Sequence, residues 1–132
     1  MERPQILGFH HVCIVASDCE KSRKFYVDDL GMDVFHETYS RNRNAKKYVL
    51  YYGGQYMIEL FARDAVPEQE LKQHDTPGIE HISFYVSDVG EMLDYLRRRG
   101  AEVSDVKCDR DTDKEYGFCW DPDHNKIEFY EK

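Results

Sequence analysis

Gln55-Tyr56-Met57-Ile58-Glu59-Leu60-Phe61 reads as a β-strand: β-branched and aromatic residues follow the turn-like pair Gly53-Gly54. Side chains on a strand alternate faces, so Glu59 shares a face with Met57 and Phe61 while Ile58 and Leu60 take the other. Both faces are apolar, and the strand is expected to be covered on both sides. A lone ionised carboxylate there is costly unless a cation or good donors meet it. The last strand repeats the arrangement as Lys126-Ile127-Glu128-Phe129-Tyr130. Two further strand-like segments each carry a histidine among apolar residues: Phe9-His10-His11-Val12-Cys13-Ile14-Val15 and Ile79-Glu80-His81-Ile82-Ser83-Phe84-Tyr85.

Working outward, the chain reads as the same unit written twice. A strand over 6–15 leads to Asp18, an N-cap candidate whose carboxylate can accept an orphan backbone N–H. A helix is expected to about Leu30, with Ser22, Phe25, Tyr26 and Leu30 facing the core and Gly31 as its C′ residue. Strands over Met32–Tyr39 and Tyr48–Tyr52 flank a polar, basic turn at 40–47, and the Glu59 strand closes the unit. A connecting loop, 63–78, follows. The pattern then restarts with a strand over 79–87 and Asp88 as N-cap, with Glu91 three residues on. Val89, Met92, Leu93 and Leu96 form an amphipathic stripe, and Gly100 ends the helix. Strands over Ala101–Lys107 and Tyr116–Trp120, a tight turn at Asp121–Asn125 and the Glu128 strand complete a second βαβββ order.

The repeat also shows residue by residue. His11 and His81 lie 70 residues apart, as do Asp18 and Asp88; Glu59 and Glu128 lie 69 apart, as do Gly31 and Gly100. Recurrence of four special positions at one offset points to duplication, with the halves related by a pseudo-two-fold axis. The expected consequence is that His11, Glu59, His81 and Glu128 form one four-ligand set for a divalent metal. Imidazole with carboxylate suits zinc, nickel, cobalt, manganese or ferrous iron, and two glutamates neutralise a dication. Calcium, which prefers an all-oxygen cage, fits poorly. Taken singly, a strand histidine is more often a hydrogen-bonded core residue, and a strand glutamate more often faces water; the matched spacing favours a shared partner. His10 is expected on the face opposite His11. His36, His74 and His124 have no repeat counterpart and are expected on the surface or in loops. The cluster Arg41, Arg43, Lys46 and Lys47 is expected to be a solvated turn, with attraction of an anionic substrate as the alternative.

Composition sets the outer bounds. The chain has 132 residues, enough for one domain with a core, and a formal charge of −8 that argues against nucleic acid and anionic membranes as partners. No apolar run approaches the roughly 20 residues of a membrane span, and the N-terminus lacks the apolar region of a signal peptide, so the expected location is cytoplasmic. Cys13, Cys19, Cys108 and Cys119 show no CxxC spacing and are expected as free thiols, with Cys13 on the strand face of His11.

The sequence resembles the vicinal oxygen chelate (glyoxalase/bleomycin resistance/dioxygenase) superfamily, and within it the small glyoxalase I-like (lactoylglutathione lyase-like) proteins. The resemblance rests on His10-His11-Val12-Cys13-Ile14 with Asp18, Phe25-Tyr26 and Leu30-Gly31-Met32. It continues through Ile58-Glu59-Leu60-Phe61, Gly78-Ile79-Glu80-His81-Ile82 with Val86 and Asp88, and Asp121-Pro122-Asp123 leading to Ile127-Glu128. It implies an α+β fold of two βαβββ modules, about 6–62 and 79–131, joined by loop 63–78 and forming a curved mixed sheet around the metal. The family's ligand positions fall on His11, Glu59, His81 and Glu128, and two His with two Glu is the glyoxalase I pattern. The implied activity is metal-dependent isomerisation or lysis of a hemithioacetal or α-hydroxycarbonyl compound through an enediolate, with Glu128 as first and Glu59 as second choice of base. A homodimer is also implied. Val15 stands where glutathione-dependent members commonly have Arg, and Arg63 where they often have Asn, which leaves the low-molecular-weight thiol open. The alternatives are an epimerase, a thiol transferase, a dioxygenase, or a non-catalytic binding module of the bleomycin-resistance type.

Overall fold

A computed structural model describes residues 2–63 and 77–132. His74 and most of the expected connecting loop lie outside the described residues. The chain divides into two units, Met1–Val66 and Pro67–Lys132, which are taken in turn.

In the first unit the order is β1 (Val12–Ala16), α1 (Cys19–Arg23) running into a π-helical turn (Lys24–Asp29), β2 (Asp33–Ser40), β3 (Ala45–Tyr52) and β4 (Gln55–Ala62). The strands pair in the order β1-β4-β3-β2, with β1 parallel to β4 and the other pairs antiparallel. Asp18 caps the helix as expected, accepting from the Lys21 N–H at 3.0 Å. The last helical turn widens: the Leu30 N–H donates to the Phe25 carbonyl five residues back, at 2.9 Å. Gly31 then takes φ +80°, where a Cβ is disfavoured. Ile14, Ala16, Tyr48, Leu50, Ile58 and Leu60 are buried together with Phe25 and Tyr26, so the helical segment covers this face of the sheet.

The opposite face is set by register. Glu59 lies between Cys13 on β1 and Val49 on β3, and Phe61 lies between Val15 and Lys47. On this face Cys13 and Val15 are exposed, whereas Phe61 is buried and Glu59 and Met57 are half-buried, so among the described residues the cover is complete on the helix side and partial on this one. Two boundaries also differ from the sequence reading. β1 begins at Val12 rather than residue 6, because its ladder with β4 starts at Ile58, close to the Gly53-Gly54 turn, and leaves residues 6–11 without strand partners among the described residues. β3 begins at Ala45, so Lys46 and Lys47 are strand residues. A four-residue turn, 41–44, with Asn44 at φ +50° closes the hairpin at the pair Ser40↔Ala45.

The second unit runs β5 (Ile82–Val86), α2 (Val89–Arg98), β6 (Glu102–Val103), β7 (Lys107–Asp109), β8 (Lys114–Trp120) and β9 (Lys126–Glu131). The strand order is β5-β9-β8-β6, with β7 also on β8, and β5 is parallel to β9. Asp88 caps α2 by accepting from the Glu91 N–H at 2.9 Å, and Val89, Leu93 and Leu96 are buried. The single strand expected over 101–107 is broken. Ser104 donates its N–H to the Phe118 carbonyl (2.9 Å), but the Phe118 N–H turns to the Ser104 hydroxyl (2.8 Å) instead of a backbone carbonyl, and the chain leaves the ladder. The Asp121 turn forms as read: its carboxylate accepts from the Asp123 and Asn125 N–H groups at 2.9 and 2.7 Å and from the Asn125 side chain at 2.9 Å. Among the described residues no helix is long and apolar enough to cross a membrane. The architecture is α+β, two mixed sheets with few helices.

Candidate metal centre

In each unit the histidine and the glutamate singled out by the repeat come together. His11 sits at the entrance to β1, and its Nε2 lies 4.0 Å from Glu59 Oε1 on the neighbouring β4. His81 sits at the entrance to β5, and its Nε2 lies 2.8 Å from Glu128 Oε2 on the neighbouring β9. The parallel pairings β1–β4 and β5–β9 produce both contacts. Each glutamate is largely buried, with side chains 19% and 13% exposed. An imidazole nitrogen and a carboxylate oxygen bound side by side to one ion, each about 2.0–2.2 Å away, are about 3 Å apart. The His81–Glu128 separation is close to that value, whereas the His11–Glu59 separation is about 1 Å longer than two adjacent ligands of one ion would show. Among the described residues no group of three or more His, Cys, Asp and Glu side chains is gathered to hold a metal.

Around Glu59 the donor set is dense. Tyr56 stacks on the His11 ring (4.6 Å between centroids, 6° between planes) and donates its hydroxyl to Glu59 Oε2 at 3.5 Å. Lys47 Nζ approaches the same oxygen at 3.5 Å, and the Cys13 thiol hydrogen-bonds the carboxylate. Burial pushes the Glu59 carboxyl upward, but the Cys13 bond, Lys47 and His11 outweigh it and hold the group below the usual carboxylate range. The same environment acts in reverse on its neighbours. Burial, then Glu59, raises the Tyr56 hydroxyl to about 12. Burial, then Glu59, raises the Cys13 thiol against the opposing pull of Arg43 and Lys47.

Around His81 the second ring nitrogen is also engaged. Nδ1 lies 3.1 Å from Glu80 Oε1, which Lys126 Nζ also meets at 3.0 Å. These two partners hold the Glu80 carboxyl below its ordinary value against a smaller effect of burial. A carboxylate on the far nitrogen fixes ring orientation and tautomer, the usual support for a histidine ligand. Lys126 in turn lies 4.1 Å above the Phe118 ring, which meets the His81 ring in a T-shaped contact.

Several features were not legible beforehand. His10 does not point away from His11: the two Nδ1 atoms are 2.7 Å apart and both rings meet Tyr56. Residues 10 and 11 precede the strand, so strict alternation does not govern them. The expected solvated turn is corrected in part. Lys47 reaches Glu59 and the Arg43 guanidinium lies 4.3 Å above the Phe61 ring. Strand alternation from Glu59 through the β3–β4 register would have found Lys47, had β3 been started at Ala45. Tyr56, Glu80 and Lys126 carry no repeat signal and emerge only from contacts. His36 is exposed, as expected. His124 occupies the tight turn at φ +64°, stacked on Trp120 and 3.4 Å from Glu102.

Comparison with known proteins agrees over nearly the whole chain. The family model described as the Glyoxalase/Bleomycin resistance protein/Dioxygenase superfamily matches residues 8–129. The uncharacterised protein YwkD of Bacillus subtilis is 37% identical over 125 residues, covering 95% of this chain and 97% of YwkD. The crystal structure of SMU.1112c superposes with a TM-score of 0.85 at 32% identity, covering 96% of this chain and 99% of the other. A trypanothione-dependent glyoxalase I from Leishmania major superposes with a TM-score of 0.70 at 26% identity, covering 92% and 84%. At 16% identity the fold is shared with a fosfomycin resistance protein, FosX, from Listeria monocytogenes that was crystallised with Mn(II) and sulfate. With the two matched His–Glu pairs already in place on parallel strands, these likenesses establish that the chain belongs to the glyoxalase/bleomycin resistance protein/dioxygenase superfamily.

Proposed function

We propose that this protein is a divalent-metal-dependent enzyme of the glyoxalase I type, acting on a small hemithioacetal or α-hydroxycarbonyl substrate, with His11, Glu59, His81 and Glu128 as ligands of one ion. The observation that carries the reading is the double pairing: the histidine of each repeat lies against the glutamate of the same repeat, at 4.0 and 2.8 Å. A zinc, nickel, cobalt, manganese or ferrous ion held there would act as a Lewis acid toward two adjacent substrate oxygens. The chain's own groups supply the proton movement. Glu128 takes the proton from the substrate carbon and returns it to the neighbouring carbon, while the hydroxyl proton passes to the former carbonyl oxygen; Glu59 is the second choice of base. The assignment follows the difference in surroundings. Glu59 is held by Cys13, Tyr56 and Lys47, which stabilise its charge and weaken it as a base. Glu128 has His81 at 2.8 Å.

The L. major neighbour supports the reaction class, and Val15 and Arg63 leave the thiol open. A cytoplasmic homodimer is the proposed form. The apolar stretch ahead of β1, in which Ile6, Leu7 and Phe9 are exposed, supports association. The test is metal analysis of protein purified without chelator, followed by hemithioacetal isomerase assays with several thiols. About one ion per site is expected, lost in His11→Ala and His81→Ala. Glu128→Gln is expected to keep some metal and lose turnover. Full metal and full turnover in both Glu128→Gln and Glu59→Gln would refute the proton-transfer roles. A second reading, a non-catalytic small-molecule binder, is favoured by the aromatic run His11–Tyr56–Tyr51–Phe35, stacked at 4.6, 5.5 and 4.4 Å. Absence of metal in wild-type protein, with none taken up on addition, would put that reading first.

A further inference from the structure

The Glu59 face of the first sheet carries an imbalance that the metal reading does not use. The chain as a whole is strongly acidic, at −8, yet among the described residues two cations turn onto this face beside one carboxylate. Lys47 is diagonal to Glu59 across the β3–β4 ladder, since it pairs with Phe61 two residues on. Its ammonium folds back to Glu59 Oε2 at 3.5 Å, and its side chain is only 34% exposed. Arg43 belongs to the β2–β3 turn, where an arginine is free to point into solvent. Instead its guanidinium lies 4.3 Å above the ring of Phe61, which shares the face of Glu59 and is itself buried. A guanidinium stacked on an aromatic ring keeps its N–H edges free to meet an oxyanion in its plane. Lys46, one residue away, takes the other parity of the strand and is exposed. The neighbouring basic residues are thus sorted, with Lys47 and Arg43 at the site and Lys46 away from it.

Among the described residues, one carboxylate neutralises one of these two cations. We propose that the substrate is an oxyanion, a carboxylate or a phosphate ester, whose charge is received by Lys47 and Arg43 while its reacting oxygens lie toward Glu59. This inference rests on the reading of Glu59 as part of the substrate site and narrows the substrate class to anionic α-hydroxycarbonyl compounds.

The experiment is a pair of calorimetric titrations on the full-length protein. One uses zinc alone. The other uses inorganic phosphate and, in a separate arm, acetate, each at low and at high sodium chloride. The proteins compared are wild type, Lys47→Gln, Arg43→Gln, the double variant, Lys47→Arg and Lys46→Gln. Wild type should bind at least one of the two anions, more weakly at high salt, and the stronger of the two identifies the source chemistry. Each single variant should weaken that binding by about tenfold, the strength of one charge-assisted contact. Lys47→Arg should largely restore it, and Lys46→Gln should leave it unchanged. Zinc stoichiometry should be the same in all six proteins. The proposal is overturned if wild type binds neither anion, if the double variant binds as wild type does, or if Lys46→Gln weakens binding as much as Lys47→Gln. Zinc binding without an anion effect would remove this inference and leave the metal reading. An anion effect without zinc binding would remove the metal reading and leave an anion site on this face.

Discussion

Gly117 tests how tightly α2 is packed on the sheet of the second unit. It lies on β8, next to Phe118, which pairs with Glu128 on one side and meets the His81 ring in a T-shaped contact. A Cβ at Gly117 would stand 2.5 Å from Leu93 Cδ1, 3.4 Å from Val89 Cγ1 and 3.5 Å from the Asp105 carbonyl. Leu93 and Val89 are buried on α2, 2% and 1% exposed, so the leucine methyl has little room to retreat. Gly117→Ala therefore overpacks the helix–sheet contact, at about 1–3 kcal/mol. Reduced freedom of the unfolded chain returns roughly 0.4–1 kcal/mol, because the backbone here is not in the left-handed region. The net expectation is a loss of about 1–2 kcal/mol, or several degrees in Tm, by urea and thermal unfolding. The decisive arm is a double-mutant cycle with Leu93→Ala. That change alone leaves a cavity costing about 2–5 kcal/mol, but the alanine methyl at 117 then enters space the leucine has left. The Gly117→Ala penalty should disappear, or reverse, in the Leu93→Ala background. Equal penalties in both backgrounds, or no loss in wild type, would refute the assignment of the clash to Leu93.

Three further outcomes follow from the same structure. Asp121→Ala removes a buried carboxylate that accepts two backbone N–H bonds and a side-chain bond in a partly exposed turn, and should lower unfolding free energy by about 1–3 kcal/mol in urea denaturation, whereas Asp121→Asn should recover part of it. Glu80 is held below its ordinary value of 4.5 by His81 and Lys126, so its contribution is present above that pH and lost as pH falls through the lower folded value; Glu80→Gln should lower stability slightly across the neutral region and flatten the acid limb, its stability–pH profile converging with that of wild type as pH falls below about 4.5. Burial, then Asp121, raises the Cys119 thiol to about 12, so a thiol reagent at neutral pH should modify the exposed Cys13 and Cys108 while Cys119 reacts only on unfolding; prompt labelling of Cys119 in native protein would contradict its burial.

Local chemistry is what the sequence could state by itself. The N-caps at Asp18 and Asp88 depend on a side chain and an N–H three residues on, and both bonds are present. The apolar stripe of α2 and the alternation on β4 and β9 are periodicities within single elements, and Val89, Leu93, Leu96, Ile58, Leu60, Ile127 and Phe129 are buried as they predict, while Met92 and Met57 are half-buried. Duplication added one piece of long-range information: it matched His11 with His81 and Glu59 with Glu128, and so singled out the four residues whose within-unit contacts the structure then showed. What tertiary structure alone decided is where ladders begin and stop, because a strand exists only as far as its partner extends. That put His10 and His11 outside β1 and in contact, brought Lys47 into β3 and onto Glu59, and split the strand after α2 at Ser104. Tyr56, Glu80 and Lys126 belong to the same class. Nothing in their spacing marks them, and they acquire a role only when register and side-chain reach bring them to a histidine or a glutamate drawn from another part of the chain or from the same turn.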